Sequence, residues 1–511
     1  MFLLGLTAIF TYICYVNNET KNTGKTVVIS KKELAKLIAE RDELKRQLEG
    51  LKRLIFGSKS EKYVSKVHES QLALFEKELE KQEKELEEYT VTYKREKAKK
   101  KKEKPIRSVI PAHLPRVKEI IEPKHIKKGA VKIGEEITEL LEIKPAKIFV
   151  RQIVRPKYAL PKDEKIIIAE LPSLPIPKGN ASASLLSFIL ISKFVDHLPN
   201  YRLLQIFKRQ DLILSKSTIA GWVGKSSELI FPLYEVLKKN FLNNSDYIQV
   251  DESPIKVQDR NKKKTTHRGF MWVYRDPVKR LVLFDYHKGR GKQIPETFFN
   301  NFTGTLQTDG YKVYKNLTTN GDITLLGCMA HARRYFEKAL DNDPKRADHV
   351  LLLIQKLYKI ERKLKERQVN VEVIKRCRLM YALPILNEIE GYLIIEKDKV
   401  LPKSSIGKAI NYTLNIFSDL KQYIYDGRYE IDNNNIENAI RPLAIGRKNY
   451  LFAGSHEFAQ YYAMYYTFFA NCKIHNINPY NWLLDVIDRI PEHKANKLEE
   501  LLPQNWKPIN K

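Results

Sequence analysis

The sequence predicts a multidomain α/β protein with a mixed-sheet core, a helical insertion and helical segments on either side. Three observations predict it. β-forming runs cluster between residues 247 and 328, with helical periodicity before and after them. The chain is 511 residues, long for a single core. Asp251 and Asp309 are 58 positions apart, whereas Asp309 and Glu437 are 128 apart, so the second gap must hold an insertion far longer than one connecting helix.

Within the core, residues 247–257 (YIQVDESPIKV) read as a buried strand rich in β-formers. Asp251 in its middle is costly if ionised without a partner. A metal ion is one such partner, and a hydrogen bond to neighbouring backbone is another. Residues 268–275 (RGFMWVYR) and 280–287 (RLVLFDYH) read as two further strands, and 292–301 can form a helix. Residues 304–314 (GTLQTDGYKVY) begin as a short apolar run that stops at Asp309-Gly310, which puts Asp309 at the C-terminal tip of a strand. A brief segment at 311–317 and a strand at 323–328 follow. Residues 432–449 (DNNNIENAIRPLAIGRKN) open with capping Asp and Asn side chains. Ile436, Ile440 and Leu443 then share one helix face, with Glu437 near its first turn. Asp432 is a nearby rival carboxylate. This order of elements is that of a ribonuclease H-like nuclease core, in which three carboxylates converge on two Mg²⁺ ions. Hard cations prefer carboxylate oxygens, and paired metals promote in-line phosphoryl displacement.

A series of motifs extends the reading. They are residues 54–62 (LIFGSKSEK), 194–203 (FVDHLPNYRL), 215–223 (SKSTIAGWV), 250–257 (VDESPIKV), 306–314 (LQTDGYKVY), 327–336 (GCMAHARRYF), 401–412 (LPKSSIGKAINY) and 429–455 (YEIDNNNIENAIRPLAIGRKNYLFAGS). In these motifs the chain resembles the insertion-sequence-66 group of bacterial DDE transposases, over roughly residues 31–491. The resemblance implies that Asp251, Asp309 and Glu437 are the catalytic and metal-holding triad. It implies two Mg²⁺ ions, for which Mn²⁺ can substitute, and double-stranded DNA as substrate, both as terminal repeats and as target. It further implies a homodimer or higher oligomer, with small accessory proteins of the element as further partners. The expected activity is metal-dependent strand cleavage and strand transfer. The rival readings are a ribonuclease H-like nuclease without strand transfer and an inactive DNA-binding derivative.

Taken in order, residues 1–29 are an expected N-terminal extension. Their first 16 residues are apolar but short for a membrane span, and they lack a basic n-region. An extension is favoured over an anchor. Residues 30–104 read as coiled-coil helices and a basic linker. Ser30 and Glu33 suit a capping box. Leu34, Leu37, Leu44, Leu48, Leu51 and Ile55 form a short seam, read as a dimerisation helix or as a helix packed on its own domain. Residues 94–104 carry eight basic side chains out of eleven and read as a solvated linker. Residues 105–178 are a small β-rich segment in the place of the family's zinc-binding module. The chain has no cysteine between Cys14 and Cys328, so no zinc is expected there.

Residues 179–243 are helical, and within them 201–224 resemble a helix-turn-helix or an ordinary helical hairpin. Ser217 is the expected cap of its second helix and Trp222 the expected core residue. Residues 244–330 and 427–455 form the catalytic core, 331–426 the helical insertion, and 456–511 a C-terminal helical segment broken at Asn478-Pro479. Cys328 and His331 form a CxxH pair too small for a zinc site, read as a structural or orienting pair. Arg202, Arg209, Lys216, Arg333, Arg334, Arg441, Arg447 and Lys448 are the expected DNA contacts. The net charge of +29 favours a polyanionic partner. Four scattered cysteines without a CxxC pair point to a reducing compartment, and the resemblance implies a cytoplasmic, nucleoid-associated protein.

Overall fold

The computed structural model describes residues 148–155, 157–160, 163–168, 172–259, 266–318 and 321–508. The expected N-terminal extension, the coiled coil, the basic linker and most of the cysteine-free segment lie outside the described residues. Of that segment, β1 (Lys157–Leu160) and β2 (Asp163–Ile168) pair as an antiparallel ribbon.

Among the described residues, three helices precede the main sheet. They are α1 (Ala183–Phe194), α2 (Asn200–Lys208) and α3 (Lys216–Asn240). The start of α3 corrects the expected cap. Ser215, not Ser217, has the extended backbone of an N-cap, and its Oγ accepts the Thr218 N–H at 3.0 Å. Ser217 already lies in the first turn and bonds the Ser215 hydroxyl at 2.7 Å. The first serine wins because only it stands three residues before an otherwise orphaned amide. Trp222 is buried, as expected.

The sheet comprises β3 (Tyr247–Gln258), β4 (Thr266–Asp276), β5 (Leu281–His287), then, after the short α4 (Gln293–Phe298), β6 (Gly304–Gln307) and β7 (Ile323–Leu326). Its order is β5-β4-β3-β6-β7. The first three strands run antiparallel, and β6 and β7 run parallel to β3. β3 is therefore central, and its run of buried apolar residues follows from cover on both faces. Register fixes which residues face which side. Asp251 lies opposite Val273, and Gln249 pairs with both Arg275 and Gln307.

After β7 the chain turns helical, with α5 (Met329–Ala339), α6 (Pro344–Arg367), α7 (Val371–Cys377), a π turn (Arg378–Ala382), α8 (Leu383–Lys397), α9 (Ser405–Asn415) and α10 (Phe417–Lys421). This excursion has a core of its own, including Leu353 and Leu357 of α6 and Leu386 and Leu393 of α8. Arg378 is buried at its base. Its guanidinium meets both oxygens of Glu361 at 2.9 and 2.6 Å and three backbone carbonyls, so a buried cation is left with no vacant donor direction.

The chain returns through α11 (Asn434–Tyr450), α12 (His456–Ile474) and α13 (Pro479–Arg489). Asn478 caps α13 with Pro479 at its first position, as the sequence break implies. α12 closes the outer edge of the sheet. Asn471 exchanges two hydrogen bonds with the Val282 backbone, at 2.9 and 2.7 Å, and Thr467 Oγ1 accepts the Phe284 N–H at 2.9 Å. An edge strand that would otherwise offer free amides is thereby covered. No helix among the described residues is long and apolar enough to cross a membrane, and residues 1–16 are not among them.

Candidate active site

Asp251 stands in the central strand, where it is mostly buried. Its Oδ1 accepts the N–H of Glu252 at 2.7 Å. Burial raises its carboxyl to about 8, reinforced by the negative charges of Glu252, Asp309 and Glu437. Among the described residues neither Asp251 nor Asp309 has an ion-pair partner.

Asp309 lies two residues past the end of β6 rather than on its last residue. The turn there is tight. Gly310 has φ +83°, and Asp309 Oδ1 accepts the Tyr311 N–H at 2.9 Å. A side chain at residue 310 would meet both this backbone geometry and Ile416 of the insertion at 3.1 Å, so glycine is required. The Asp309 carbonyl accepts the Tyr412 hydroxyl of α9 at 2.7 Å.

Glu437 lies in the first turn of α11, as expected. Its Oε2 takes Arg334 Nη2 at 2.5 Å, and His331 Nε2 stands 3.8 Å from Oε1. The helix is placed by a buried polar network that the sequence reading missed. Gln249 on β3 donates to Gln307 Oε1 at 2.7 Å and to Glu430 Oε2 at 2.9 Å. Arg275 of β4 donates to Gln249 Oε1 at 2.7 Å and to Glu430 at 3.1 Å. This network seats the segment leading into α11 against the sheet. The available signal was a glutamine inside a strand of buried apolar residues. Further along α11, Arg447 donates to Ser253 Oγ and to the Pro254 carbonyl, at 2.9 and 2.7 Å.

Asp432, the rival for the third carboxylate, has a local task. It accepts the Tyr358 hydroxyl at 2.7 Å and both the backbone and side-chain amides of Asn434 at 3.0 Å. That leaves Glu437 as the carboxylate whose charge reaches Asp251. The CxxH pair also joins elements. The buried Cys328 Sγ accepts the Asn433 N–H at 3.5 Å, so it fastens the start of α11 to the start of α5. Burial pushes its thiol up to about 12, which keeps it neutral. His331 has its imidazole pKa lowered by burial and by the Arg334 charge.

The expected DNA contacts divide into two groups. Arg202, Arg209, Lys216, Arg441 and Lys448 are exposed. Arg333 pairs with Glu337 at 2.9 Å, Arg334 with Glu437, and Arg447 with β3. The last three are therefore engaged within the protein, because each lies on a helix face turned towards the core or the carboxylates.

The donor set suits a divalent cation: hard carboxylate oxygens, mostly buried, with more negative charge than the neighbouring cations balance. As the side chains stand, no three His, Cys, Asp or Glu residues among those described are gathered closely enough to hold one ion.

The chain matches the model of the transposase IS66 family over residues 178–461 and that of the IS66 C-terminal element over 467–504. A third match, described as transposase C of IS166 homeodomain, covers residues 43–118, outside the described residues. Among relatives, the uncharacterized protein y4jD of Sinorhizobium fredii is 31% identical over 421 residues, 78% of this chain and 81% of its own. The uncharacterized protein y4qI of the same organism is 31% identical over 78% of this chain and 77% of its own. On the length of these matches and the order of the motifs, the chain belongs to the IS66 family of transposases, which are DNA-processing enzymes.

Proposed function

We propose that the protein is a DDE transposase with a ribonuclease H-like core. In this reading it cleaves DNA at the ends of an insertion sequence and joins the freed 3′ ends to target DNA. The observation that carries the proposal is placement: Asp251 stands in the central β3, Asp309 in the turn after the adjacent parallel strand β6, and Glu437 in the first turn of α11, whose Arg447 bonds to β3. The sheet order, with two parallel strands added beside an antiparallel trio, supports the same reading.

Asp251, Asp309 and Glu437 are the residues that would hold two Mg²⁺ or Mn²⁺ ions. Such ions, when bound, supply Lewis acidity and an activated oxygen nucleophile. The chain's own residues position the rest. The Gln249–Gln307–Glu430 network and Arg447 fix α11 on the sheet, which sets where Glu437 stands. The Asp309 turn is held from the insertion side by Tyr412. Arg334 and His331 flank Glu437 and restrain its carboxylate. The exposed Arg202, Arg209 and Lys216 of the α2–α3 pair, with Arg441 and Lys448 of α11, are the proposed phosphate contacts. Residues 244–330 and 427–455 form the proposed core, and 331–426 the proposed insertion. A dimer through residues 30–55 would bring two DNA ends together, and small accessory proteins of the element are proposed as further partners.

The test is Mg²⁺- or Mn²⁺-dependent cleavage of a plasmid carrying the gene's own flanking DNA. Asp251→Asn is expected to abolish cleavage and leave DNA binding largely intact. Retained cleavage in that variant would overturn the assignment. Joined products distinguish a transposase from a nuclease that only cuts.

A further inference from the structure

Beside Asp251 lies a second acid outside the proposed triad. Glu252 is almost completely buried, its side chain 1% exposed, and its Oε1 accepts the Nε–H of Arg290 at 2.9 Å. Burial raises the Glu252 carboxyl above the usual range, and the Arg290 bond and charge oppose that rise. Arg290 follows β5, and its guanidinium lies 3.8 Å over the ring centroid of Tyr311. The Tyr311 hydroxyl in turn donates to the Arg290 carbonyl at 3.4 Å. Two main-chain bonds complete the circuit. The Glu252 N–H donates to Asp251 Oδ1 at 2.7 Å, and the Tyr311 N–H donates to Asp309 Oδ1 at 2.9 Å. Each of these two carboxylates is thus oriented by the backbone of a residue whose side chain Arg290 grips.

We infer that Arg290 is a positioning residue: by clamping Glu252 to Tyr311 it holds the Asp251 and Asp309 carboxylates in fixed relation for a divalent cation. The inference rests on the reading of those carboxylates given above. Two of its contacts need a planar guanidinium. A charge-assisted bond from Nε and stacking on a ring occur together only in arginine, and lysine offers a point charge without the plane. These contacts take one face and the Nε edge of a side chain that is 35% exposed, so the test separates this role from contact with DNA phosphate.

The test uses the full-length chain without DNA and Mn²⁺ alone as the probe, titrated calorimetrically, with thermal unfolding recorded for every variant. Arg290→Lys and Tyr311→Leu are each expected to weaken Mn²⁺ binding by about tenfold or more, the usual effect of losing a group that orients a metal ligand. Tyr311→Phe keeps the ring and the main-chain bond, and is expected to restore the affinity that Tyr311→Leu loses. Where Arg290→Lys does not fold, Tyr311→Leu decides. Unchanged Mn²⁺ affinity in folded Arg290→Lys and Tyr311→Leu, with binding lost in Asp251→Asn, would overturn the clamp and leave the site assignment standing. Unchanged affinity in Asp251→Asn would overturn both. Weakened DNA binding by Arg290→Lys with normal Mn²⁺ affinity would assign Arg290 to phosphate and also overturn it.

Discussion

At the scale of single residues, burial decides which charges persist, and it does so differently at two aspartates. Burial raises both, but Asp285 is drawn down to about 2 because His287 and Lys238 hydrogen-bond to it, whereas Asp251 is surrounded by acids and rises to about 8. The folded value for Asp285 lies below the unfolded value of about 3.9, so its contribution is present above that value and lost as pH falls towards 2. The difference corresponds to about 2–3 kcal/mol. Asp285→Asn should therefore flatten the acid limb of stability against pH, read as denaturation midpoints across an acid series. Cys328 gives a second expectation. Its thiol is buried and raised to about 12, so iodoacetamide should leave it unmodified in the native protein at mildly alkaline pH and label it after denaturation. Mass spectrometry reads both states. The local placements of Asp251, Asp309 and Glu437 were legible in the sequence, because a strand-borne Asp, an Asp-Gly turn and an Asn-rich helix start are local signals, whereas their grouping as a triad came from the resemblance and stands as a proposal. Glu252, Arg290 and the glutamine network were not, because their partners lie far away in sequence and become neighbours only through strand pairing.

At the scale of elements, local chemistry fixed most boundaries and left a few ambiguous. The Asn478-Pro479 break and the strands around Asp251 appear where capping and periodicity place them, and α11 begins in the Asp/Asn-rich stretch although its N-cap, Asn433, makes no side-chain cap bond. Ser215 and Ser217 could not be separated by residue type, since both are good caps and only backbone geometry selects one. Ser215→Ala should destabilise by about 1 kcal/mol and Ser217→Ala by much less, read from urea midpoints. The sealing of β5 by α12 was illegible, because edge and centre strands carry similar apolar runs. Asn471→Ala removes both bonds to the Val282 backbone and should cost about 2 kcal/mol or more. It should also increase self-association on light scattering, since it frees part of a strand edge.

At the scale of the whole molecule, charge and connectivity set how the protein meets its substrate. A net charge of +29 predicts steep salt dependence of DNA binding, because neutralised phosphates release their counterions. Fluorescence anisotropy across a salt series measures this, and a flat response would count against phosphate contacts as the main source of affinity. Sequence spacing led to the expectation of a helical stretch between Asp309 and Glu437, and helices α5 to α10 lie there. It said nothing of where the insertion touches the core, and that contact matters. Tyr412 hydrogen-bonds the Asp309 carbonyl, and Ile416 lies where a side chain at residue 310 would stand, so the Asp309 turn is seated partly on α9 and the residue after it. On the proposed reading, in which these carboxylates hold cations, a ligand that displaces α9 would alter their cation affinity, and by reciprocity cations would alter the affinity for that ligand by the same factor.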